Sequence, residues 1–323
     1  MNRTRVSILA GMILLLAVVI FLASSGGLPG SSFQYDPSKA LHGQLSGVKA
    51  LAHVQALVDI GPRPSGSEAN IRQQDYIIAE LKKLGWTTRR DAFTDKTTRG
   101  PIDFANLHAR LGEGDSAFSR TAEVLVCSHF DTKYMPGITF VGANDGGSST
   151  GLLIEMARVL AANPDLAKRI ELVFFDGEEA ITSFQVEGLH GSKYLAKKLR
   201  ALPEGDRPLY AVVFDMIGDK NLNVGIPSNT DPEMSNAVLV AAEELGTRKH
   251  FSVLRTEIID DHQPLHEIGM RVTNFIDLDY KPYWHTSADT MDRITAESIE
   301  ITGRTGLLFL EKYLLGGGGR SSK

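Results

Sequence analysis

Apolar and polar positions follow one another in blocks whose period changes along this chain, and each change of period marks an element. Apolar residues recur at helical spacing between Ser38 and Ile60 (Leu41, Leu45, Val48, Leu51, Val54, Leu57, Val58), which predicts one helix there. Gly61-Pro-Arg-Pro-Ser-Gly-Ser breaks it, and a second amphipathic helix is predicted over 68–84, closed by Gly85. Two strands follow, near 87–93 and 104–111. The unbroken apolar run from Glu123 to Cys127 reads as a short buried strand. Beyond it, strands at 171–175, 210–214 and 272–276 are spaced by helices at 150–161, 190–201, 231–245 and 296–315. Strands separated by helices predict an α/β fold, with a largely parallel sheet covered on both faces. The chain shows no internal repeat and no second apolar core, so a single domain is expected.

The two ends depart from this pattern. Arg3 and Arg5 precede an uncharged apolar run, Val6 to Ala23, and a Gly/Ser-rich linker over 24–37. The run, about 18 residues, is long for a signal-peptide core and just long enough to span a bilayer. The upstream arginines keep residues 1–5 cytoplasmic and export the body. The segment is read as an uncleaved signal anchor, ahead of a cleaved signal peptide that would release a secreted or periplasmic product. The catalytic domain is expected at 38–315, and residues 316–323 form a Gly-rich flexible tail.

Composition narrows the chemistry. With 42% hydrophobic and 23% charged residues the body is that of a soluble globular protein, and a formal net charge of -5 without a basic block argues against nucleic acid as a partner. The single cysteine, Cys127, excludes an intrachain disulfide and a thiolate zinc cage, and reads as a small buried hydrophobe.

Each predicted strand ends in polar chemistry. His129 and Asp131 follow the strand at 123–127, and Asp145 lies just before the helix at 150–161. Asp176-Gly-Glu178-Glu179 follows 171–175, Asp215 follows 210–214, and Trp284-His285-Thr286 comes shortly after 272–276. In a parallel sheet the carboxyl ends lie along one edge, so these residues can converge. Imidazole nitrogens and carboxylate oxygens without thiolate suit a catalytic zinc. Adjacent Glu178 and Glu179 repel each other unless a cation holds one of them, leaving the other as a general base. His129 and Asp131 can support that site from behind, or His129 with Asp215 can complete a second metal site bridged by Asp145. Every ligand position for two metals is present. His53, His108, His190, His250 and His266 read as surface or hydrogen-bonded structural histidines, and Asp260-Asp261-His262 as a solvated turn.

The series His129-Phe-Asp131, Gly142-Ala-Asn-Asp145, Asp176-Gly-Glu178-Glu179-Ala, Asp215 and His285-Thr-Ser-Ala-Asp289 resembles the zinc-dependent M28 peptidase superfamily. Within it, Phe140-Val-Gly-Ala, Phe175-Asp-Gly-Glu-Glu-Ala, Ile259-Asp-Asp-His262 and Trp284-His-Thr resemble the animal-type glutaminyl-peptide cyclotransferases, over about residues 40–315. The resemblance implies a zinc aminopeptidase-like α/β fold with a twisted sheet, and one zinc per subunit held by Asp145, Glu179 and His285. It also implies Glu178 as general base and acid, Asp215 and Asp260 as a carboxylate network beside it, and Trp284 as a pocket wall. Phe184 stands near where those cyclases carry a tryptophan, and Tyr280 where a phenylalanine is expected; both would keep an aromatic substrate lining. Ile181 to Leu189 has no clear pattern. The implied activity converts amino-terminal glutamine, and more slowly glutamate, of peptides and proteins into pyroglutamate with release of ammonia, in a monomer. The alternative is a two-zinc aminopeptidase built on the same residues.

Overall fold

The computed structural model of the chain describes residues 33–184 and 186–316. The signal-anchor segment, most of the linker and residues 317–323 lie outside the described residues. Among those described, no helix is long and apolar enough to cross a membrane.

Eight strands form one sheet: β1 Trp86–Thr97, β2 Gly100–Leu111, β3 Val124–His129, β4 Ile170–Phe175, β5 Tyr210–Asp215, β6 Val224–Ile226, β7 Phe251–Val253 and β8 Arg271–Ile276. The helices are α1 Gly47–Asp59, α2 Glu68–Lys83, α3 Gly147–Leu160, α4 Pro164–Ala167, α5 His190–Arg200, α6 Pro232–Glu244, α7 His262–Glu267 and α8 Ala296–Leu308. Strand order is β1-β2-β4-β3-β5-β8-β6-β7. The central four, β4-β3-β5-β8, pair in parallel, as the strand–helix alternation predicts. The edges are mixed. β1 and β2 are joined across Thr98-Arg99, a connection that permits only antiparallel pairing, and β6 runs antiparallel to β8.

Burial explains the central strands. Every residue of β3 is buried, so its run is apolar throughout rather than alternating. Leu125 and Cys127 face one side, where they pack with Val173, Val213 and the Leu195 and Leu199 side chains of α5. Successive side chains alternate, so Val124 and Val126 face the other side, which α3 covers with α1 and α8 behind it. The chain crosses from β3 through α3 to β4 on one side, then through α5 to β5 on the other. The winding reverses at β3, and the carboxyl edge there opens into a crevice.

Three expectations give way. The helix predicted over 38–60 begins only at Gly47; Pro37–Lys39 and His42–Gln44 are separate 3-10 turns. The Leu41 backbone N–H goes to Glu311 (2.8 Å) instead of into a helix, Ser46 caps α1, and Val48 is exposed rather than core-facing. The helix predicted over 296–315 turns into a π-helical segment, Phe309–Leu314. β6 and β7, three residues each, are too short to carry a periodic signal, and β1 and β2 extend through the polar residues of their hairpin tip.

α1 and α3 pack closely because Gly151 has no side chain: a Cβ there would lie 2.6 Å from Val54 Cγ2 and 2.7 Å from the Ala50 carbonyl oxygen. Gly151→Val should therefore overpack this contact and cost about 1–3 kcal/mol. Urea unfolding should show a lower midpoint at unchanged slope, and an unchanged midpoint would contradict the packing described.

Candidate metal and catalytic site

Register alone brings the first pair together. Cys127 of β3 pairs with Val213 of β5, so two residues further on His129 and Asp215 emerge side by side at the carboxyl edge. His129 Nε2 lies 3.2 Å from Asp215 Oδ1 and 3.2 Å from Asp145 Oδ1. Asp145 comes from the loop that enters α3. That loop passes beneath the imidazole because Gly146 has a positive φ of 73° and no Cβ, which would sit 2.9 Å from His129 Cε1. Asp289 pins the loop from below, its carboxylate accepting the Asn144 (2.8 Å) and Asp145 (3.1 Å) backbone N–H groups.

Asp131 does the same for the glutamate pair. Its two oxygens accept the Glu178 (3.1 Å) and Glu179 (3.3 Å) backbone N–H groups, and His129 Nδ1 stands 3.6 Å from it. His285 arrives from the loop after β8 with a left-handed backbone, φ 54°. For a residue other than glycine this conformation is uncommon and is found where structure dictates it. It aims Nε2 at Glu179 (3.0 Å) and Asp145 (3.4 Å).

Two three-residue groups are thus arranged at metal-binding spacing: Asp145, Glu179 and His285, and His129, Asp145 and Asp215. Asp145 offers Oδ1 to one and Oδ2 to the other, and Oδ2 has no hydrogen-bond partner. Ligands about 2.0–2.1 Å from a tetrahedral zinc lie roughly 3.3 Å apart, which these separations match. The donor set therefore fits a borderline divalent cation.

The electrostatics agree. Burial, then the charge of Asp145, pushes Glu179 up despite His285 and Lys133. Burial, outweighing His129 and joined by Glu179, Asp260 and Asp261, holds Glu178 well above the usual carboxylate range. Burial also raises Asp215 to about 7, aided by Asp260 and Asp145 and opposed by His129. Asp145 moves the other way: its contacts with His129 and His285 outweigh burial and lower it. A set of buried acids in this condition is relieved by a cation. The Glu178 carboxylate accepts no hydrogen bond among the described residues.

The site reaches a cleft through His285, which lines it together with Trp284, Phe184, Lys133, Ile258, Ile259 and Glu257. Trp284 stacks on the His285 ring with centroids 4.1 Å apart, and Phe184 lines the same cleft. Tyr280 does not line this cleft, a correction to its expected role. Its ring is buried, and its hydroxyl donates to Asp289 at 2.6 Å, so it supports the Asp145 loop from behind. Asp260-Asp261-His262 is no solvated turn: the three residues are 2%, 1% and 0% exposed. Asp260 accepts from Asn274 Nδ2 at 2.6 Å and stands close enough to Glu178 and Asp215 to raise both, without a hydrogen bond to either.

Sequence reasoning missed four supports. Arg63 is fully buried and donates to the Gly61 and Val141 carbonyls at 3.0 and 2.8 Å; burial lowers its guanidinium to about 10, against the pull of Asp289, Asp131 and Asp145. Lys133 donates to the Ala180 carbonyl and lies 3.4 Å from Glu179. Glu187 accepts from the backbone and hydroxyl of both Thr98 and Thr182, tying the patternless segment after Glu179 to the β1–β2 turn. Asp289, fourth, appeared only as part of a motif. A Pro-flanked arginine was the one signal that could have flagged Arg63.

The sequence and fold have relatives. Residues 106–310 match the family model Peptidase family M28. The chain is 27% identical over 296 residues to the glutaminyl-peptide cyclotransferase of Drosophila melanogaster, covering 82% of this chain and 81% of that protein. It is 27% identical over 285 residues to a glutaminyl-peptide cyclotransferase-like protein of Mus musculus, covering 78% and 72%. Among solved structures, the glutaminyl cyclase of an Acidobacteriales bacterium superposes with a TM-score of 0.73 at 31% identity, covering 91% of this chain and 100% of that one. With its fold, its strand-edge residues and this match in agreement, the chain belongs to peptidase family M28.

Proposed function

We propose that this protein is a zinc-dependent glutaminyl-peptide cyclotransferase. The observation that carries the reading is the Glu178 carboxylate, without a hydrogen bond among the described residues, next to Glu179 of the Asp145–Glu179–His285 group, whose His285 lines a cleft with Trp284 and Phe184. The similarity to glutaminyl cyclases supports it.

Asp145, Glu179 and His285 would hold the zinc. Bound there, it would polarise the γ-carbonyl of an amino-terminal glutamine and stabilise the negative charge that develops on its oxygen. The chain's own residues supply the rest. Glu178 takes a proton from the α-amine, the nitrogen attacks its own side-chain carbonyl carbon, and the carbon–nitrogen bond to the amide group breaks. Glu178 returns the proton to the departing ammonia. Because nucleophile and electrophile belong to one residue, the protein's main task is to hold that residue folded. Trp284 and Phe184 bound the space in which it folds and exclude water that would instead give glutamate. Asp131 fixes the Glu178 backbone, and Asp260 and Asp215 keep its surroundings acidic.

The second donor group favours a second reading. His129, Asp145 and Asp215 are spaced for another ion, and two zincs bridged by Asp145 would suit an aminopeptidase with Glu178 activating water. Metal stoichiometry separates the two.

Glu178→Gln should keep the zinc and the fold while turnover falls by about a hundredfold or more; normal turnover in that variant would remove Glu178 as the base. Asp145→Ala should lose zinc on elemental analysis, and an unchanged zinc content would take Asp145 out of the site. Activity removed by a chelator should return in full at one equivalent of zinc per chain. A requirement for two equivalents would favour the aminopeptidase.

A further inference from the structure

The cleft carries few charges, and all but one are committed. Of its lining residues, Lys133, His285 and Glu257 are ionisable. Lys133 turns inward to the Ala180 carbonyl and Glu179, and His285 turns inward to Glu179 and Asp145. Glu257 is exposed and forms no hydrogen bond or ion pair among the described residues. It opens the wall segment Glu257-Ile258-Ile259, which leads directly into buried Asp260 beside the floor. Three residues of chain reach at most about 10 Å, so exposed Glu257 marks the rim no further than that from Asp260.

A substrate's first residue must sit on the floor for its γ-carbonyl and α-amine to reach the candidate ligands and Glu178. Its chain then leaves toward the opening, and the second side chain passes the rim. Resting on the cyclotransferase reading, we propose that Glu257 is a specificity-determining residue that favours substrates with lysine or arginine directly after the amino-terminal glutamine. Apolar walls of Trp284, Phe184, Ile258 and Ile259 focus the field of a rim charge along the cleft axis. Arg255, exposed and two residues upstream, is the nearest cation in sequence and does not line the cleft.

A solvent-exposed pair of this kind is modest, worth about a two- to fivefold change in kcat/KM, and is weakened by salt. It acts equally on bound substrate and transition state, so it belongs in KM rather than kcat.

The test measures ammonia release by the full chain from three peptides identical except at the second position: Gln-Lys, Gln-Ala and Gln-Glu. Expected is the order Lys, Ala, Glu in kcat/KM, set by KM and compressed at high salt. Glu257→Gln should flatten the order and Glu257→Lys should invert it. An order that survives in both variants, or equal rates in the parent enzyme, overturns the proposal while leaving the cyclotransferase intact. Ammonia from none of the three peptides overturns both.

Discussion

Burial of carboxyl groups at one sheet edge is the constraint on which this structure depends. Asp145, Glu178, Glu179, Asp215 and Asp260 are each at most 6% exposed, and moving such groups out of water is costly unless charge is supplied to them. His129 and His285 supply some to Asp145 and its partners, and Lys133 supplies some to Glu179. The remainder shows as acids held above their ordinary range. A fold arranged only for stability would replace such a cluster with apolar residues; one that keeps it has an ion or a reaction to serve.

The cluster is held by backbone more than by side chains. Asp131 grips the N–H groups of Glu178 and Glu179, Asp289 grips those of Asn144 and Asp145, and Arg63 grips the Gly61 and Val141 carbonyls. Fixing the main chain at each reactive residue sets side-chain position while leaving the reactive oxygens free. Tyr280 and Glu187 extend the arrangement one step outward, to Asp289 and to the segment bearing Phe184. This is the support that site precision requires.

The chemical edge was legible in the sequence because each reactive residue follows an apolar strand directly. His129, Asp215 and the Glu178-Glu179 pair needed only the rule that parallel strands share a carboxyl edge. The supports were not legible, because their partners are backbone atoms far away in sequence: nothing near Arg63 announces the Val141 carbonyl, and nothing near Glu187 announces Thr98. Asp260-Asp261-His262 looked like a turn for surface exposure because local polarity cannot reveal that α7 buries it against β8. The helix read over 38–60 failed because Leu41 and Leu45 keep helical spacing while their turns are held by Glu311 instead. Whether Asp145 serves one ion or two depends on distances that no spacing encodes.

The most direct measurement of the central claim is mass spectrometry of two peptides incubated with the zinc-loaded protein, one beginning with glutamine and one with leucine. The account predicts that the glutamine peptide loses one ammonia and the leucine peptide is untouched. Removal of the first residue from either peptide, with the glutamine side chain intact, would contradict it.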